Sequence, residues 1–139
     1  MAQGNKTLIL ILFLIIAAST VITPLWLPDI TVIMLIYLAL RFESTDILIW
    51  LIIGGLMHDA FQLNRVWISP LLFPLTFLGI NFAKENFNTR FFPVRLAVTS
   101  FAILVIFLVY AIFFRISASL LITKGIGTLV LSAILSLLL

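Results

Sequence analysis

The chain contains no cysteine and a single histidine, His58. The first absence excludes disulfides, thiolate metal sites and cysteine nucleophiles, and it leaves the redox compartment unreadable. The second rules out a metal site built from several imidazoles of one chain. Charge is scarce as well. Asp, Glu, Lys and Arg make up 9% of the 139 residues while 64% are apolar, against about 25% charged in a soluble domain. With a mean hydropathy of +1.35, the chain has too little charge to clothe a folded surface in water. Composition therefore predicts an all-α, polytopic integral membrane protein. At about 20 apolar residues per span, the length admits at most six short transmembrane helices and no separate soluble domain, so residues 1–139 are expected to form one transmembrane unit. The net charge of +3 is read as charge that orients helices and meets anionic lipid headgroups, not nucleic acid.

Charged residues, Pro and Gly divide the sequence into six apolar segments. The first runs from Thr7 to about Thr23. Its small residues Ala17, Ala18 and Ser19 mimic a signal-peptide cleavage site, but the apolar run continues to Ile22, which favours an uncleaved helix. The second, from about Leu25 to Leu40, opens with Pro24-Leu25-Trp26-Leu27-Pro28-Asp29, where Pro and Asp suit a helix start. The third spans about Asp46 to Phe61 and the fourth about Val66 to Ala83, with Pro70 and Pro74 expected to kink or break it unless neighbours satisfy the freed carbonyls. The fifth is Leu96 to Phe114, without charge, Gly or Pro. The sixth is about Gly125 to Leu139, with Lys124 marking either its start or a charge inside it. With both termini in the cytoplasm, five Lys and Arg face inward and three outward, the expected bias. Re-entry of the short second segment would reduce the count to five.

Ionisable groups inside apolar segments are costly and so become the first functional suspects. Here they are His58 and Asp59, within Gly54-Gly55-Leu56-Met57-His58-Asp59-Ala60-Phe61-Gln62. Gly55, Asp59 and Gln62 share one helix face, and two glycines a turn before the carboxylate let another backbone come close. A latch from Asp59 to a neighbouring helix is expected, ahead of a proton or cation relay or a metal site. Adjacent residues diverge by 100°, so His58 and Asp59 are not expected to pair. No G-x-S-x-G stretch and no pair of facing carboxylates is visible, so neither catalytic residues nor a cofactor is expected.

Two further features concern association. Gly125, Thr128, Ser132 and Ser136 form a small, weakly polar stripe, and Gly79 with Ala83 forms a second small pair. Such stripes pack helices closely in lipid, and packing inside the chain is expected. The stretch from Asn81 to Arg95 interleaves Lys84, Arg90 and Arg95 with Phe82, Phe87, Phe91 and Phe92. It reads as a cytoplasmic loop lying at the headgroups, with docking of a cytoplasmic partner as the alternative.

Pro28-Asp29, an apolar helix ending Tyr37-Leu38-Ala39-Leu40-Arg41, and a third helix carrying Gly55-Leu56-Met57-His58-Asp59 together resemble the bacterial rod shape-determining MreD family. That family's most recognisable stretch is a glycine, three mostly apolar residues and an aspartate, which matches Gly55 and Asp59. Where the family usually shows Leu-Gly some eight residues after the aspartate, this chain has Val66-Trp67, so the turn leaving the third helix is expected to differ. The resemblance implies a non-catalytic scaffold or regulator in the bacterial inner membrane, working in the cell-elongation machinery. It implies binding to the single-span protein MreC and, through it, to MreB, RodA and a class B penicillin-binding protein that inserts peptidoglycan. Pairing with a second copy stays open. The family's fold also looks like the substrate-binding subunits of energy-coupling transporters, so a vitamin- or metal-binding transporter subunit is the second expectation.

Overall fold

A computed structural model describes residues 3–19, 29–61, 67–114 and 118–138 of the chain. These residues form six helices and no strand: α1 Gln3–Ser19, α2 Ile30–Arg41, α3 Ile47–Phe61, α4 Ser69–Asn86, α5 Phe92–Phe114 and α6 Ala118–Leu138. The all-α expectation holds at this level. Among the described residues only Phe92–Phe113 is both long and apolar enough to cross a membrane unaided. Lys6–Ala17, Ile30–Arg41, Ile47–Ala60 and Ile122–Leu138 are apolar but shorter, about 18–26 Å at 1.5 Å per residue against a hydrocarbon core of about 30 Å.

Local chemistry explains most helix ends. Asp29 caps α2, its carboxylate accepting the Val32 N–H at 3.3 Å while its own φ and ψ stay extended. The helix begins at Ile30, later than the expected Leu25. Pro70 stands in the first turn of α4, where a missing N–H costs nothing. Pro74 lies inside the helix, and its absent donor would have bonded the carbonyl of Pro70, still in that first turn. The helix therefore runs unbroken through both prolines. Other boundaries move as well: α1 starts at Gln3 before the expected Thr7, and α4 runs Ser69–Asn86 against the expected span of about Val66 to Ala83. α5 starts four residues before the expected Leu96, placing Arg95 within the helix, and α6 starts at Ala118, placing Lys124 and Gly125 inside it.

Among the described helices α3 packs most extensively on α4, α5 on α6, and α1 on α3; α2 meets α1, α4 and α6. The fully buried side chains are led by Phe13, Phe73, Phe77, Leu35, Ile36 and Ile106. Phe13 and Phe73 meet edge to face, with ring centroids 6.3 Å apart, a favoured aromatic geometry. Gly54 makes room for this contact, since a Cβ there would collide with the Phe13 ring.

The outside of the bundle is as aliphatic as its inside. Leu8, Ile15, Leu71, Phe101, Leu108 and Ile112 are all exposed, whereas Asp29, Thr31, His58, Asp59, Ser69, Thr99, Thr128, Ser132 and Ser136 are buried. Hydrophobicity alone cannot choose which face of such a helix turns inward. Polar groups and shape make that choice here.

Candidate functional site

A cluster of buried polar side chains forms where the end of α3 meets the start of α4, and the contact begins with Gly55. A Cβ on Gly55 would stand 2.5 Å from the Pro70 nitrogen and 2.6 Å from the Ser69 carbonyl, so only glycine lets these backbones approach. One turn later Asp59, with no solvent exposure, turns its carboxylate onto the first residue of α4. Its Oδ2 accepts the Ser69 N–H at 2.8 Å and its Oδ1 accepts the Ser69 hydroxyl at 2.6 Å. The residue in the cap position of α4, Ile68, has no side-chain acceptor. Asp59 thus caps α4 from a different helix, satisfying an orphan N–H and meeting the positive end of the helix dipole. The expected latch is present, and its neighbour is α4.

His58 departs from expectation. Its Nδ1 lies 3.1 Å from Asp59 Oδ1 and 3.3 Å from Ser69 Oγ. The 100° step separates Cα–Cβ directions, but an imidazole is long enough to swing back over its neighbour. Its ring stacks on Tyr110 at 6.1 Å with planes 7° apart and meets Phe73 edge-on at 5.6 Å. Its Nε2 faces Asp29 Oδ2 at 3.9 Å. Tyr110 closes the cluster from α5, its hydroxyl 2.8 Å from Ser69 Oγ. The single Ser69 proton is committed to Asp59, so Tyr110 is the donor in that bond. Asp29 also reaches α6, its N–H donating to Thr128 Oγ1 at 3.0 Å. The side chains or caps of α2, α3, α4, α5 and α6 therefore meet in one buried set.

Serine, histidine and aspartate are the residue types of a hydrolytic triad, but the order of contacts differs. In a triad the imidazole stands between hydroxyl and carboxylate, using both nitrogens. Here Ser69 bonds the carboxylate directly and the same Nδ1 faces both partners. All three residues are at most 1% exposed. Among the described residues no group of three or more Asp, Glu or His stands close enough to hold a metal ion.

The remaining expected residues separate. Gln62 lies outside the described residues. Thr128, Ser132 and Ser136 face inward, each hydroxyl donating to a carbonyl of α6 itself, so most of the stripe packs within the bundle. Gly125 does not join that packing, because a Cβ there would meet nothing within 4 Å; the same holds at Gly79. The expected basic and aromatic loop is mostly helix. Lys84 belongs to α4, pairs with Glu43 at 3.2 Å and donates to the Ala39 carbonyl of α2 at 3.2 Å. Arg95 belongs to α5 and donates to the Ser136 carbonyl of α6. Only Phe87–Phe91 connects α4 to α5, leaving Phe87, Arg90 and Phe91 exposed. Long basic side chains can reach inward from helix ends, which a boundary drawn at each charge overlooks.

Sequence reasoning missed Ser69 and Tyr110 and took Asp29 only as a helix start. The available signals were the Ser-Pro step that opens α4 and the lone phenol within the last apolar turns of α5. Comparison of the chain with protein-family models, with curated proteins and with solved structures finds no match.

Proposed function

We propose that the chain is an MreD-like, non-catalytic scaffold of the bacterial inner membrane, a six-span bundle with both termini in the cytoplasm. Its aliphatic exterior and its buried, mutually bonded polar side chains support the membrane reading, since lipid rewards exposed hydrocarbon and penalises unpaired polar groups. The observation that carries the scaffold reading is the Gly55–Asp59 stretch, the part that resembles MreD. Its glycine and carboxylate are both occupied in fastening α3 to α4, a task of shape and not of turnover. In this reading the bundle presents a fixed surface to MreC, and through it to MreB, RodA and a class B penicillin-binding protein.

A transporter subunit that binds a vitamin would need a pocket with several convergent polar groups. The cleft between α4 and α5 is lined by aliphatic and aromatic side chains with Thr76 as its one hydroxyl, which favours the scaffold. The deciding experiment is affinity purification of the tagged chain from gently solubilised bacterial membranes, followed by mass spectrometry of what accompanies it. Recovery of MreC with wall-synthesis enzymes is expected. Recovery of an ATPase pair with a coupling membrane subunit, and no wall enzymes, would replace the scaffold with the transporter.

A further inference from the structure

Two kinds of glycine occur in these helices. Gly54 and Gly55 are wedged against Phe13 and the Ser69–Pro70 backbone, but a Cβ at Gly79 would meet nothing within 4 Å. Glycine inside a helix is less stable than alanine, and no contact among the described residues accounts for it at Gly79. The space beside it is a cleft of about 1000 Å³ between α4 and α5. These two helices are consecutive in the chain, yet they touch far less than α3 touches α4 or α5 touches α6.

The chemistry of the cleft is one-sided. Leu75, Gly79 and Ala83 of α4 face Ala97, Phe101 and Val105 of α5. The one polar side chain in the lining, Thr76, spends its hydroxyl on the Leu72 carbonyl at 2.8 Å. The walls thus offer side-chain contacts to hydrocarbon and to little else. At one end the lining reaches Phe87 and Pro93, which bracket the loop carrying Arg90. Arg90 is exposed, and the ion pairs among the described residues do not include it. Glu43 is taken by Lys84. Glu85 stands two residues beyond Ala83 and so on another face of α4. The loop at this end of the slot therefore carries an exposed cation that takes part in no ion pair among the described residues.

We propose that the α4–α5 cleft binds one anionic phospholipid, an acyl chain lying along Gly79 and the phosphate meeting Arg90. The proposal rests on the membrane reading above, which places this loop at the cytoplasmic leaflet, where anionic lipid is found. A helix is the competing occupant. Lipid is favoured over a helix because an acyl chain matches walls that offer no polar side-chain partner beyond Thr76, and a headgroup brings an anion to the loop that carries Arg90.

The test is native mass spectrometry of the detergent-solubilised full chain, titrated with phosphatidylglycerol or phosphatidylcholine. The wild type should retain one phosphatidylglycerol about fivefold better than phosphatidylcholine, the effect of one cation at a headgroup. Arg90→Gln should abolish that preference, lowering phosphatidylglycerol retention about fivefold and phosphatidylcholine retention by less, because choline already offsets that lipid's phosphate. Gly79→Phe, which fills open space, should reduce retention of both lipids with an unchanged melting temperature; Ala97→Phe plugs the cleft from the opposite wall should the first variant misfold. Equal retention by the wild type and the plugged variants overturns the proposal. So does loss of a co-purifying polypeptide, instead of lipid, on plugging. Alkaline extraction of cell membranes, run alongside, isolates the premise. Release of the chain into the soluble fraction overturns the membrane reading itself, whereas a membrane-retained chain with flat lipid retention overturns the cleft alone.

Discussion

The two ends of the bundle are fastened by different chemistry. At the end where α1 and α3 begin, the ties are charged and wet. Lys6 pairs with Asp46 at 2.6 Å and Lys84 with Glu43 at 3.2 Å, their carboxylate side chains 68% and 78% exposed. At the other end Asp29, His58, Asp59, Ser69 and Tyr110 are at most 5% exposed; the last four are hydrogen-bonded together, and Asp29 faces His58 at 3.9 Å. Exposed ion pairs contribute about 0–1 kcal/mol and weaken with salt. A buried carboxylate that accepts two donors is different, because removing it strands both donors at about 1–3 kcal/mol each. The charged end therefore adds little to holding the helices together, and the buried end sets which helices are neighbours.

The largest effect expected from breaking this contrast is at Gly55. Gly55→Leu places a side chain where even a Cβ lies 2.5 Å from the Pro70 nitrogen. Backbone cannot give as a side chain can, so the loss should exceed the 1–3 kcal/mol typical of overpacking and abolish recovery of folded protein in gel filtration. Asp59→Ala ranks next. It leaves the Ser69 N–H and hydroxyl without their acceptor and should lower stability by about 2–4 kcal/mol in thermal unfolding in detergent. Asp59→Asn keeps one acceptor oxygen and should recover at least half of that loss. Tyr110→Phe removes one donor to Ser69 and should cost about 1 kcal/mol.

The smallest effect belongs to the wet end. Lys6, hydrogen-bonded to Asp46, holds that carboxyl below its ordinary value. A lowered carboxylate contributes stability that is complete above the ordinary carboxylate range and is lost as pH falls through the lowered value. Asp46→Asn should therefore leave the melting temperature at pH 7 nearly unchanged in 0.5 M salt. Any difference should appear only at low salt and vanish in acid. An effect equal to that of Asp59→Ala would erase the distinction between the two ends.

The sequence made the helices and the Gly55–Asp59 face legible because both follow from periodicity and residue size. The partner of that face was not legible. That Asp59 would cap α4 depends on α3 and α4 packing side by side, a tertiary fact no spacing encodes. The His58–Asp59 contact was missed because a rule about Cβ directions says nothing of rotamers. Arg95 misled in the opposite sense: its charge was read as a helix boundary, whereas it sits inside α5 and reaches across to α6; of the two readings open for Lys124, the charge inside the helix is the one found. The proposed six-span arrangement and scaffold role draw on hydropathy and on the resemblance to the MreD family, not on any contact in the fold.

A double-mutant cycle between Asp59 and Ser69, read as unfolding free energy in detergent, tests most directly whether a carboxylate from α3 holds α4 in place. Asp59→Ala, Ser69→Ala and the pair complete the cycle, with Ser132→Ala as a distant control. Coupling of about 1–2 kcal/mol between Asp59 and Ser69, beside strict additivity with the control, is the predicted result. Additivity at both positions would contradict the account, leaving Asp59 as a buried charge that fastens nothing.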